Sequence, residues 1–212
     1  MFDIGKPSPV TAALRPSEYT AALIHVLRRE PERVRDRQVL ELGCGSGVVL
    51  AALGTLGAAS LSGVDIEGEA ILTGRTLLRQ LGHDAEFLHG DMWKPVAGRR
   101  FDLIVANLPH FPMAHVELAG RLPSWSSGGA DGREFLDPFL EGLRDHFTGE
   151  ARAVLTHNAF VDIERSRAIA RRHGLHLAIL ASVMVHIPGD KLALMTPSVL
   201  QTEEGRTIHR YG

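Results

Sequence analysis

Short apolar runs alternate with amphipathic stretches along this chain, and turn residues mark where one gives way to the next. Val39 to Leu42 is an apolar run holding a single carboxylate, Glu41. Phe101 to Ala106, FDLIVA, is of the kind a fully buried parallel strand shows. Further strands are expected at Ser60 to Val64, Ala85 to Leu88 and Arg152 to Thr156. Helical spacing predicts a helix over Glu18 to Arg29, with Ser17 able to cap it and Pro31 ending it. Others are expected from the glycine turn to about Leu56, at Glu69 to Leu81, over 133–147 and at Val161 to His173. Gly82 and Gly174 stop two of them. Leu175 to His186 and Lys191 to Leu200 read as two β segments joined by Pro188-Gly189-Asp190. The alternation predicts an α/β fold: a doubly wound sheet of seven strands, mostly parallel, with a C-terminal antiparallel hairpin. Ligands are then expected at the carboxyl ends of the strands. Three parts are expected: a loop and helix at 1–37 that packs on or caps the active site, a main domain at 38–200, and a polar tail at 201–212.

Composition narrows the classes. A chain of 212 residues, 44% hydrophobic and 23% charged, fits one soluble α/β domain. A net charge of −2 argues against holding nucleic acid through a basic surface. The single Cys44 forms no internal disulfide, and MFDIGKPSPV has no apolar leader core, so the expected location is cytoplasmic. Residues 43–64 are uncharged, yet glycines and hydroxyl residues break them into loop, helix and strand rather than a membrane span.

The candidate chemistry sits where the strands end. Gly43, Gly45 and Gly47 form a G-x-G-x-G turn between the first strand and a helix start, where backbone N–H groups are free to meet a polar ligand. Glu41 is an expensive charge in an apolar strand unless it meets a cation at the crevice. Asp65, followed by Ile66, lies where a carboxylate can accept two ribose hydroxyls. Asp91, Met92 and Trp93 can take the amine of a purine and flank its ring. Singly, Asp65 and Asp91 read equally well as turn or cap residues.

Together, in this order, they resemble a class I S-adenosylmethionine-dependent methyltransferase with a Rossmann-like fold. The third-glycine position of a dinucleotide-binding G-x-G-x-x-G is Val48 here, which disfavours an NAD enzyme. Asn107-Leu108-Pro109-His110 resembles the N-P-P-Y motif of methyltransferases acting on planar nitrogen. Ser127 to Arg133 and Arg15 to Thr20 resemble segments of the HemK/PrmC-type protein glutamine methyltransferases. The resemblance implies S-adenosylmethionine as cofactor, with S-adenosylhomocysteine as product. It implies cofactor contacts at Glu41, Gly43, Gly45, Gly47, Asp65, Ile66, Asp91, Met92, Asn107 and Thr20, and acceptor chemistry at Asn107, Pro109 and His110. The implied partner is a methyl acceptor, either a protein glutamine, as in a translation release factor, or a small molecule. Nucleic acid is disfavoured, and no membrane partner is expected.

The chain departs from the motif at Leu108 and His110, and the expected form is one without the helical N-terminal domain of the bacterial release-factor enzymes, as in shorter family members. Two readings of His110 stay open: a flat ring that stacks or fills space, or a general base suited to an amine, hydroxyl or acid acceptor. Phe111 and Trp125 read either as an acceptor wall or as core. His115, His146, His157, His173, His176 and His186 show no metal-ligand spacing, and no metal is expected. The rival readings are a small-molecule N- or O-methyltransferase, a nucleic-acid base methyltransferase, and a partner subunit that binds cofactor without turnover.

Overall fold

The computed structural model describes residues 17–113 and 126–209. Five strands, β1 (Gln38–Leu42), β2 (Ser60–Asp65), β3 (Glu86–His89), β4 (Phe101–Ala106) and β5 (Phe147–Leu155), form one sheet in the order β3-β2-β1-β4-β5, every pair parallel. Helices cover both faces. On one side lie α1 (Glu18–Arg29), α2 (Val48–Thr55) and α3 (Gly68–Gln80). On the other lie α4 (Leu136–Gly142) and α5 (Ile163–Arg172). Alternate residues of the central strands feed the two cores: Val39, Leu103 and Val105 join the first, while Leu40, Leu42, Ile104 and Ala106 join the second. Burying side chains such as Leu40, Leu53 and Phe139 stabilises the fold by about 1.5–3 kcal/mol each.

The strand order reverses between β1 and β4. That places a crevice at their carboxyl ends, the ligand position of open α/β sheets. Leu42 is in register with Ala106, so the glycine turn and the Asn107 segment leave the sheet side by side. Helix α1 follows its sequence signals. Ser17 Oγ accepts the N–H of Thr20 at 3.3 Å, and Arg28 and Arg29 lie in the last turn before Pro31.

The C-terminal hairpin does not form, and the described residues hold five strands, not seven. Residues 175–188 carry no strand. The stretch from Lys191 to Leu200 falls mostly in α6 (Gly189–Leu194) and α7 (Pro197–Glu203). Pro197 cannot donate to a ladder but suits the first turn of a helix. Met195 links the two short helices with an extended backbone and is buried with Phe111 and Met113, packed beside Leu192, Leu194 and Leu200. Between the helices Met195 keeps an isolated antiparallel bridge to Met113, so the expected strand survives only at that residue. Helix α7 also runs past the expected boundary at 200, and Ile208 is buried in the same cluster. Two further elements shift at their ends. The helix expected over 133–147 starts at Leu136 and closes in a 3-10 turn at Leu143–His146, and β5 begins at Phe147 rather than Arg152. No helix among the described residues is long and apolar enough to cross a membrane.

Candidate active site

The glycine turn has a left-handed backbone at Gly43, Gly45 and Gly47, with φ of 69°, 49° and 76°. Gly47 is required twice over. Beyond its φ, an added Cβ there would stand 2.9 Å from Leu78 Cδ2 and 3.2 Å from Gly74 Cα, where α3 crosses the turn. At Gly45 an added Cβ would meet no heavy atom within 4 Å, so that side of the turn faces open space. The Gly45 N–H donates to Asp65 Oδ2 at 2.7 Å, and the Glu67 N–H donates to Asp65 Oδ1 at 2.9 Å. The carboxylate at the end of β2 thus braces the turn after β1. Burial raises the Asp65 pKa, and these N–H donors oppose the rise.

Glu41 lies beneath the turn, 2% exposed, its Oε2 accepting the N–H of Leu50 in α2 at 3.2 Å. Burial pushes its pKa well up, and the nearby Asp65 carboxylate adds to the rise. Ile66 is exposed beside Asp65, and His89 reaches its carbonyl oxygen at 2.8 Å. Past β3, Asp91 is paired with Lys94 at 2.7 Å, and Met92 takes the rare positive φ of 48°. Trp93 leaves this side. Its ring stacks on His146 at 4.5 Å, and its indole N–H donates to the Pro138 carbonyl at 3.0 Å, so it belongs to the packing of α4.

At the end of β4, Asn107 is held from two directions. Its Nδ2 donates to Thr20 Oγ1 of α1 at 3.1 Å, and its Oδ1 accepts from Thr156 Oγ1, just past β5, at 2.7 Å. Thr20 therefore meets Asn107. Thr156 carries no motif signal; only the register of β5 with β4 brings it beside Asn107. Leu108 is buried with Cδ2 3.0 Å from where a Gly43 Cβ would be. His110 is 5% exposed. It lies edge-on to Tyr19 at 5.0 Å and stacks near Phe111 at 5.7 Å, and neither ring nitrogen has a hydrogen-bond partner. Burial lowers its pKa to about 3, helped by the positive potential of His157 and Lys191.

The segment after the second glycine-rich stretch backs this loop. The Phe111 N–H donates to the Ser126 carbonyl, the Gly128 N–H to the Phe111 carbonyl, and the Met113 N–H to the Gly129 carbonyl, at 2.8 to 2.9 Å. A Cβ on Gly128 would stand 2.8 Å from His110 Cα and 2.9 Å from the Pro109 carbonyl oxygen. On Gly132 it would stand 2.7 Å from the His110 carbonyl oxygen. Arg133, 3% exposed, then ties the segment to α4 through Asp137 and to α5 through the Asp162 carbonyl and Ser166 Oγ. His157 shares that Ser166 hydroxyl. No group of His, Cys, Asp and Glu among the described residues could hold a metal ion. Trp125, His115, Arg15 and Pro16 lie outside the described residues.

Comparison with known proteins matches residues 39–122 to a family described as a methyltransferase domain. A Methanocaldococcus jannaschii protein, provisionally named a protein N5-glutamine methyltransferase, is 32% identical over 53% of this chain and 57% of its own. A release factor glutamine methyltransferase of Geobacter sulfurreducens is 31% identical over 58% of this chain and 45% of its own. Ribosomal protein L11 methyltransferases match over shorter stretches. The chain spans less than two thirds of the length of each of these relatives. Among solved structures, a Thermus thermophilus 16S rRNA N2 G1207 methyltransferase in complex with S-adenosylmethionine and guanosine superposes with a TM-score of 0.53 and 27% identity. The match covers 78% of this chain and 38% of that one.

Proposed function

We propose that this chain, whose residues 39–122 match a family described as a methyltransferase domain, is an S-adenosylmethionine-dependent enzyme that methylates a planar NH₂ nitrogen, with the side-chain amide of a protein glutamine as acceptor. The named glutamine methyltransferases among its relatives support this acceptor. When bound, S-adenosylmethionine supplies a methyl group on a sulfonium sulfur, an electrophile strong enough for transfer to nitrogen. The residues of the turn fit such a group. Gly45 leaves open space, the Asp65 carboxylate keeps acceptor capacity for a ribose hydroxyl, and the buried carboxylates favour a cation. In this reading Gly43 and Gly47 shape the turn, Ile66 and Met92 flank the purine, and Asp91 takes its amine.

The observation that carries the acceptor reading is the side-chain amide of Asn107, fixed between Thr20 and Thr156 at the end of a central strand. An amide nitrogen is a poor nucleophile because its lone pair is delocalised into the carbonyl. Acceptors that hold both of its hydrogens aim the remaining density at the donor methyl, so the protein contributes orientation and electrostatics. Asn107 Oδ1, which has a second lone pair, and the Leu108 carbonyl supply those acceptors. Leu108 keeps the carbonyl that a proline there would offer, and Pro109 stiffens the next step. His110, with its pKa near 3, stays uncharged at neutral pH and is a weak base, which favours a wall for the acceptor over proton abstraction.

The test is methyl-labelled S-adenosylmethionine with a size-fractionated cell extract. Label on a protein glutamine, mapped by mass spectrometry, supports the reading; label confined to the small-molecule filtrate overturns the protein acceptor. A small amide is the second reading. The C-terminal segment favours it, since Met195 bridges to Met113 and closes over the Phe111 side of the loop.

A further inference from the structure

Beside the Asn107 segment lies a group of polar atoms that the fold itself does not satisfy. His110 is buried with both ring nitrogens unpartnered. Its neighbour Phe111 carries the Lys191 ammonium over its ring, 3.4 Å from the centroid. Tyr19 packs edge-on against both His110 and Phe111, and the next residue on α1, Thr20, holds Asn107. Lys191 has no carboxylate within ion-pair distance among the described residues; Glu18 and Asp190 act on it only from farther away. Burial lowers its pKa to about 8. A half-buried cation is a poor choice if packing were all that was needed, because the surrounding Met113, Met195 and Leu192 show that aliphatic groups fill this cluster. A cation–π contact compensates only part of its lost hydration.

We propose that Lys191 binds a carboxylate carried by the methyl acceptor close to its reactive nitrogen. The substrate class is then a carboxamide with a neighbouring acid group. This rests on the planar-nitrogen reading of Asn107. One ammonium matches the single charge of a carboxylate, and the other nearby cation, Arg133, is fully engaged with Asp137, Asp162 and Ser166. The carboxylate has two sources, an acidic side chain beside glutamine in a peptide or the free α-carboxylate of a glutamine derivative.

Two matched pairs of probes separate these sources: acetyl-Gln-Glu-amide against acetyl-Gln-Gln-amide, and N-acetylglutamine against its amide. Binding is measured calorimetrically in the presence of S-adenosylhomocysteine, for the wild-type chain, K191M and K191R. The expected result is at least about tenfold tighter binding of the acidic member of one pair, the size of a charge-assisted contact. That ratio falls to about 1 in K191M and survives in K191R. Equal binding of both members to the wild-type chain, or no binding of any probe, overturns the proposal. So does a ratio that persists in K191M. Methyl transfer to the same probes is read in parallel. Discrimination in binding without transfer keeps the carboxylate site and rejects the amide-transfer reading. Transfer to acidic and neutral probes at equal rates, with equal binding, keeps that reading and rejects the site.

Discussion

The two halves of the crevice are built differently. On the β1 side, the glycine turn, the Asp65 carboxylate and the Glu41 carboxylate come from two adjacent strands and the loops directly after them. Their contacts run between backbone N–H groups and carboxylates. On the β4 side, Asn107 to Phe111 is held by side chains and loops from across the chain: Tyr19 and Thr20 of α1, residues 126–132, Thr156, Lys191 and Met195. The first half is a local consequence of one strand–turn–helix unit. The second is an assembly, complete only when distant parts dock. In the proposed reading, a donor shared by many enzymes falls to the local unit and an acceptor particular to one enzyme to the assembly.

Substitutions can break that contrast from either side. Asn107→Ala removes the fixed acceptor and is expected to lower methyl transfer by about 10²–10³-fold, read as kcat with labelled donor. Gly128→Ala forces a methyl against His110 Cα and the Pro109 carbonyl. It should reduce transfer by more than about tenfold while equilibrium dialysis shows S-adenosylmethionine affinity retained, because Gly128 touches nothing on the β1 side. Gly47→Ala should act in the opposite sense. The left-handed φ and the contact with Leu78 and Gly74 cost about 2–4 kcal/mol in urea unfolding, and cofactor affinity falls with it. Thr156→Val leaves the shape but deletes one grip on Asn107, and a loss of about tenfold in kcat with unchanged cofactor affinity is expected.

A pH dependence tests the β4 side through stability rather than turnover. The folded His110 pKa is near 3 against 6.5 unperturbed, so above pH 6.5 neither the folded nor the unfolded form carries the proton. As pH falls below 6.5 the unfolded chain takes a proton that the folded chain refuses, and stability declines until about pH 3. His110→Phe should remove this component, at most about 1.4 kcal/mol per pH unit, so its stability relative to wild type rises between pH 6.5 and 4.5 in urea titrations. A constant difference over that range would show that His110 titrates near its ordinary value.

Legibility followed the same division. The strand–turn–helix unit could be read because its parts are consecutive: an apolar run, three glycines, then helix spacing, with Asp65 at the end of the next strand. FDLIVA matched β4 residue for residue. The Asn107 tetrapeptide was legible as a motif, but its supports were not. The hydrogen bond from Asn107 to Thr20 had no signal in the sequence, since Thr20, in α1, lies 87 residues earlier in the chain. Thr156 becomes visible only once β5 is known to lie beside β4, so that the residues following Ala106 and Leu155 are neighbours. Lys191 lies inside an expected strand that the structure divides into two short helices, the second opened by Pro197, which cannot donate to a ladder.

The dependence of Asn107 on Thr20 and Thr156, and of Phe111 on Met195, also orders the molecule in time. As the chain leaves the ribosome, the glycine turn, Asp65 and Asp91 are all available once β4 has emerged. The amide grip waits for Thr156, and the cover over Phe111 waits for Met195 and Ile208. In the proposed reading, the residues that would hold the methyl donor are thus all synthesised before those that would aim its methyl group at the acceptor.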